Sequence, residues 1–259
     1  MSISAGGHGA ATSPGIVIAV DGPSASGKSS ASRGAARALG LRYLDTGSMY
    51  RALTWWMLAR GIPADDPAAV AQAVGEPSIE VGTDPDGPWV RVDGQDVTAA
   101  VRTQEVTSAV SAVARVPQVR ARLIALQREI IARARAEGRG IVAEGRDIGT
   151  VVAPDAVVKV YLTASERVRA QRRTAESVAS PDVTASTSQH GASQHGTGQV
   201  EATEADQARR DRMDAGQLAR ADDAVEIDST MFGLEDVIGM IAGLAQERAG
   251  LTDTARTTR

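Results

Sequence analysis

Residues Gly22, Pro23, Ser24, Ala25, Ser26, Gly27, Lys28 and Ser29 match the pattern G-x-x-x-x-G-K-[ST] in full, with Ser30 directly behind. A buried-strand sequence precedes them and a helical sequence follows, the context in which this pattern cradles phosphates. Glycines let backbone N–H groups curl around a phosphate, and the start of the helix adds positive potential. Lys28 supplies a compact charge for β- and γ-phosphates, and the Ser29 hydroxyl is a ligand for Mg²⁺. The loop therefore implies a nucleoside triphosphate. No guanine-reading N-K-x-D follows it, which argues against a switch GTPase. Further along, Gly140-Ile-Val-Ala-Glu144 delivers a carboxylate at a strand end, where it could reach Mg²⁺ through water. Arg146 and Asp147 come immediately after it. If the acceptor is itself a phosphate, its second pKa near 6 leaves it largely dianionic and in no need of a general base. Repulsion between two polyanions then becomes the obstacle, and positioned arginines the remedy. Arg51, Arg120, Arg146, Arg172 or Arg173, and Arg210 are the candidates.

The elements that must hold these groups are legible as alternating patterns. Short apolar runs at Ile16–Val20, Leu41–Leu44, Gly140–Ala143, Val157–Leu162 and Ala224–Ile227 read as buried strands. Helical periodicity fills 28–39, 48–60, 104–115, 117–137, 165–173 and 234–249. Together they predict an α/β domain over 15–249, a parallel sheet covered by helices. Residues 78–98 break the rhythm with period-two alternation and Asp-Gly turn signals, which predicts a small antiparallel insertion. Residues 174–208 contain no Leu, Ile, Met or aromatic, and repeat Ser-Gln-His-Gly at 188 and 193; they read as a flexible insert in a lid spanning about 165–220. Residues 1–14 and 250–259 read as disordered or frayed tails.

Composition narrows the function classes. Among 259 residues there is no cysteine, so neither disulfide nor thiolate site exists, and three histidines (His8, His190, His195) make a histidine triad or zinc site improbable. A net charge of −4 offers no broad nucleic-acid-binding face. No apolar run is long enough to span a membrane, and residues 1–14 lack signal-peptide character, which predicts a cytoplasmic protein. Of the 28 basic residues only Lys28 and Lys159 are lysine. Lys28 has a task in the phosphate loop; Lys159 sits in an apolar strand with none assigned.

Longer blocks make the reading specific. Val20–Ser30, Tyr43-Leu-Asp-Thr-Gly-Ser-Met-Tyr-Arg51, Val101–Val106, Val116–Arg120, Ile141-Val-Ala-Glu-Gly-Arg-Asp-Ile-Gly-Thr-Val-Val152, Pro154–Leu162 and Ala221–Asp228 resemble the bacterial cytidylate kinases in order and spacing. The resemblance implies transfer of the ATP γ-phosphate to CMP or dCMP with Mg²⁺. It also implies the P-loop nucleoside monophosphate kinase fold, a five-stranded parallel sheet with a β insertion in an acceptor-binding region of about 46–115, a mobile lid, and a monomer. Carried over by motif, Arg51 and Arg146 would bind the acceptor phosphate, and Thr46 would lie near its phosphate or base. Ser111, Arg120 and Asp147 would read cytosine, while Arg172 and Arg173 would face the donor. Arg210 would bridge phosphates and Asp214 the sugar hydroxyls. The lid departs from the family pattern R-D-x-x-D-S-x-R: Arg210-Asp-Arg-Met-Asp214 keeps the first arginine and both aspartates, but continues Ala-Gly-Gln217, about four residues short and without the last arginine. Loss of such a contact predicts slower turnover, with Arg212 or Arg220 as replacements. Two other readings remain at this level: a P-loop kinase for UMP, AMP or a small hydroxyl acceptor, and a nucleotide-binding protein whose altered lid no longer catalyses.

Overall fold

The computed structural model describes residues 15–179 and 220–249. Five strands, β1 (Val17–Asp21), β2 (Arg42–Asp45), β6 (Ile141–Gly145), β7 (Val158–Thr163) and β8 (Val225–Asp228), form one parallel sheet in the order β2-β6-β1-β7-β8. Strand alternation divides their side chains between two cores. Val17, Ala19, Ile141 and Ala143 face one; Ile18, Val20, Val142, Val158, Val160 and Leu162 face the other. Both faces are covered, which is why β1 up to Val20 and β6 up to Ala143 are apolar without alternation.

Helices α1 (Lys28–Leu39) and α7 (Leu234–Arg248) cover one face. Ala31, Ala35 and Ala36 are buried on α1, and a side chain at Gly34 would fall on Ile238, so small residues bring the two helices together. Gly40, in the left-handed region at φ 65°, ends α1. The opposite face carries α2 (Thr46–Ala59), α4 (Gln104–Ala114) and α5 (Pro117–Ala136), with Leu53, Trp56, Val113 and Leu123 in its core. Helix α6 (Glu166–Ala179) leads from β7 toward the lid.

The antiparallel insertion is present as β3 (Ile79–Val81), β4 (Val90–Val92) and β5 (Gln95–Asp96). Asp93 and Gly94, at φ 51° and 79°, form the two-residue turn between β4 and β5. Asp93 also fastens the insertion to α2. Its carboxylate accepts from the Trp56 indole N–H (2.8 Å) and the Ser78 amide (2.8 Å), while Arg60 lies over the Trp56 ring at 3.9 Å.

Three elements are absent from the sequence reading, the smallest a 3-10 turn at Ala100–Arg102. Helix α3 (Pro67–Ala73) is short, and Asp66 caps it through the amides of Ala68 and Ala69, with Pro67 at its first position. Asp-Pro is a start signal, but the alanine-rich stretch behind it lacks clear periodicity. A π turn at Ile148–Val152 follows β6. Helix α6 runs on to Ala179, so residues 174–179, the first of the stretch read as a flexible insert, are helical; the rest of the insert and both tails lie outside the described residues. Replacing Asp93 by Ala leaves a buried indole N–H unpaired and should lower unfolding free energy by about 1–3 kcal/mol in urea denaturation. Asp86→Ala, which removes an exposed ion pair with Arg37, should change it by less than about 1 kcal/mol.

Candidate active site

The phosphate loop leaves β1 at the carboxyl end of the sheet. Gly22 has φ 148° and passes so close to β7 that a side chain there would strike the Leu162 carbonyl. Gly27, at φ 91°, opens α1 with no side-chain cap, and no acidic residue occupies the first turn. The leading N–H groups are thus not met by a capping side chain, as anion binding requires. Lys28 curls back so that its ammonium donates to the Pro23 carbonyl at 2.6 Å. Ser26 is fully buried, and its hydroxyl is without a hydrogen-bond partner among the described residues.

Glu144 ends the apolar run of β6 and is buried beside this loop. Burial raises its pKa most, Asp45 adds to the rise, and Lys28 and the Tyr43 and Ser29 hydroxyls oppose it. Tyr43, on β2, is the unforeseen partner. Its hydroxyl donates to Glu144 Oε1 and fixes the carboxylate, while Thr46 donates to the Glu144 backbone carbonyl at 2.7 Å. A hard carboxylate beside a hard hydroxyl fits Mg²⁺, which keeps several waters and takes its other ligands from substrate phosphates.

The arginines approach from three directions. Arg51, one and a half turns into α2, pairs with the helix-capping Asp45 at 2.9 Å; Arg102, which the sequence reading omits, stands 3.9 Å from the same carboxylate. Arg120 on α5 pairs with Asp147. Arg146 donates to the Gly22 carbonyl at 2.5 Å, joining the segment after β6 to the phosphate loop. Ser111 is buried on α4, and no hydrogen bond among the described residues ties it to Arg120 or Asp147. From α6, Arg172 reaches the Ser26 carbonyl (3.1 Å), the Ser229 hydroxyl (2.9 Å) and the Ser229 carbonyl (2.9 Å). Arg169, also unforeseen, donates to the Ser24 carbonyl at 3.2 Å. Arg173 is half-buried next to Arg172. Arg210, Asp214 and Gln217 lie outside the described residues.

Two further groups complete the surroundings. Lys159 pairs with Asp223 at 2.9 Å, holding β7 to the residues before β8. Asp21 ends β1 and accepts from the Ile148 and Gly149 amides, each at 2.8 Å. Its pKa rises to about 6, chiefly through burial and also through Asp147, against the two amides and Lys28.

A parallel sheet of this order, a phosphate loop at its central strand and arginines converging on that loop define a P-loop phosphotransferase of the nucleoside monophosphate kinase class. The family model for cytidylate kinase matches residues 18–247. The cytidylate kinase of Streptomyces coelicolor is 51% identical over 247 residues, covering 94% of this chain and 99% of the relative. That of Streptomyces avermitilis is 47% identical over 246 residues (93% and 97%), and that of Mycobacterium leprae 43% over 240 (91% and 97%). The chain belongs to the cytidylate kinase family. It phosphorylates CMP and dCMP at the expense of ATP.

Because the pKa of Asp21 is higher folded than the ordinary 3.8, its contribution to stability is complete below about pH 4 and is lost as pH rises through about 6. The loss is on the order of 3 kcal/mol. The stability of Asp21→Asn relative to the parent should therefore improve between pH 4.5 and 7.5, read as the difference in urea midpoints at each pH.

Proposed function

We propose that phosphate transfer runs between the loop of β1 and the residues that follow β2 and β6. The carrying observation is the Arg146 guanidinium on the Gly22 carbonyl, which sets an acceptor-side cation against the donor loop. The loop residues 22–30 hold the ATP phosphates, with Lys28 moving onto the β- and γ-oxygens as the transferring charge develops. Ser29 and, through water, Glu144 would hold Mg²⁺, with Tyr43 keeping the carboxylate in place. Bound there, Mg²⁺ would supply charge neutralisation for the transferring phosphate.

Arg51 and Arg146 bind the acceptor phosphate, beside Thr46. Their present partners, the Asp45 carboxylate and the Gly22 carbonyl, hold both guanidinium groups in the acceptor region. Ser111, Arg120 and Asp147 read the cytosine: a carboxylate and a hydroxyl accept from its exocyclic amine, and the guanidinium donates to ring acceptors. Arg172 and Arg173 face the donor, Arg172 through the loop carbonyls it supports. From the lid, Arg210 bridges the phosphates and Asp214 takes sugar hydroxyls, an assignment that rests on motif position alone. No general base is assigned, since the acceptor phosphate is already ionised. Among the described residues no helix is long and apolar enough to cross a membrane. Resemblance to the family is what supports a monomer working in the cytoplasm.

A coupled assay of ADP release should give fastest turnover with CMP and dCMP, ahead of UMP, AMP and shikimate; fastest turnover with another acceptor would overturn the acceptor assignment. Arg51→Ala should raise KM for CMP about 10- to 100-fold, the range for losing a hydrogen bond to a charged group. Gln217→Arg should raise kcat, and an unchanged kcat would show that the shortened lid is not limiting.

A further inference from the structure

Asp21 has no part in the roles above, yet it is a buried carboxylate between the two halves of the site. The π turn Ile148–Val152 closes on itself through its later amides: Val151 and Val152 donate to the Asp147 carbonyl (2.8 and 3.2 Å), and Ala153 to that of Ile148 (2.7 Å). The leading amides, those of Ile148 and Gly149, have no acceptor within the turn, as at the start of any helical turn. Ordinarily the residue in the capping position would satisfy them, and Asp is a favoured type there. Asp147 occupies that position, but its side chain makes no capping bond; it is turned to Arg120. The amides are met instead from another strand. Asp21 Oδ1 accepts from Ile148 and Oδ2 from Gly149.

This substitution of one carboxylate for another requires close approach. A Cβ at Gly149 would lie 3.2 Å from Lys159 Cδ and 3.4 Å from Asp21 Oδ2, tight on the first side. The residue after Asp21 makes the second tie, since the Gly22 carbonyl receives Arg146. Two consecutive residues of β1 and its loop thus hold the whole segment 146–149. Asp147, Lys28 and, across Gly149, Lys159 are the charged groups around Asp21.

We propose that Asp21 is a positioning residue for the acceptor subsite: by capping the turn after β6 in place of Asp147, it leaves the Asp147 carboxylate to Arg120 and the acceptor base. It also fixes the distance from Arg146 and Asp147 to the phosphate loop. The inference rests on the assignment of Arg146 and Asp147 to the acceptor. An ionised carboxylate is the group this task needs. It accepts from both amides, whereas the isosteric Asn accepts from one and sets an N–H against the other. The raised pKa agrees, because a group kept ionised against its burial weakens the fold at neutral pH.

The experiment compares KM for CMP, KM for ATP, kcat and urea midpoints in Asp21→Asn, Asp147→Asn, the double variant and Gly149→Ala. Asp21→Asn should raise KM for CMP about tenfold, a typical loss for one hydrogen bond to a charged group, and leave KM for ATP within about twofold. In the double variant KM for CMP should match that of Asp147→Asn alone, since one residue acts through the other. Gly149→Ala, whose Cβ crowds the turn against Lys159 and Asp21 while keeping the carboxylate itself, should raise KM for CMP in the same way and guards against misfolding of Asp21→Asn. An unchanged KM for CMP in Asp21→Asn, or effects that multiply in the double variant, overturns the proposal while Asp147→Asn still impairs CMP binding. An unchanged KM for CMP in Asp147→Asn instead removes the assignment of Asp147 to the acceptor, and the proposal with it.

Discussion

The parallel pairing of β1 with β6, in which Asp21 stands opposite Gly145, is the constraint on which the site depends. Parallel strands end at the same edge of the sheet, so the chain leaving β1 and the chain leaving β6 must emerge side by side. One becomes the phosphate loop, the other Arg146 and Asp147. A shift of one residue in this register would send Glu144 into the opposite core and separate Arg146 from Gly22. Polar residues enter only where the strands run out, Asp21 at the end of β1 and Glu144 one residue before the end of β6, because both faces of the sheet are covered up to there.

Beside the roles proposed for them at phosphates, the arginines of this chain have a structural use. Arg122 reaches the Val74 and Pro77 carbonyls, Arg128 those of Val151 and Val152, Arg33 and Arg37 that of Pro85, and Arg169 and Arg172 the phosphate loop. A planar group with five donors can satisfy two carbonyls at once, which an ammonium on a flexible stem does less well. Loops between distant elements are thereby fastened without extra secondary structure. The excess of arginine over lysine is put to structural work, whatever its origin.

What the sequence made legible was local. The phosphate loop, the strands around it and the Asp-Gly turn of the insertion all depend on neighbours within a few residues. Tyr43, Asp21, Arg169 and Ser229 were not legible, because each gains its meaning from a partner more than a hundred residues away. Tyr43 reads as one more apolar strand residue until β6 brings Glu144 beside it. Helix α3 was overlooked for a different reason: alanines fill it, so no apolar stripe marks its face. Lys159, without an evident task in the sequence, is explained by Asp223, whose position depends on how β8 joins the sheet.

The three tryptophans show how unevenly the molecule is furnished. Trp55 and Trp56 lie on α2, the helix that begins with Thr46 and carries Arg51, and Trp89 lies in the insertion that Asp93 fastens to that helix. The phosphate loop and the described residues of α1, α6 and α7 have none. Intrinsic indole emission therefore reports on α2 and the insertion alone, so changes in that half of the protein can be followed in solution without attaching a label.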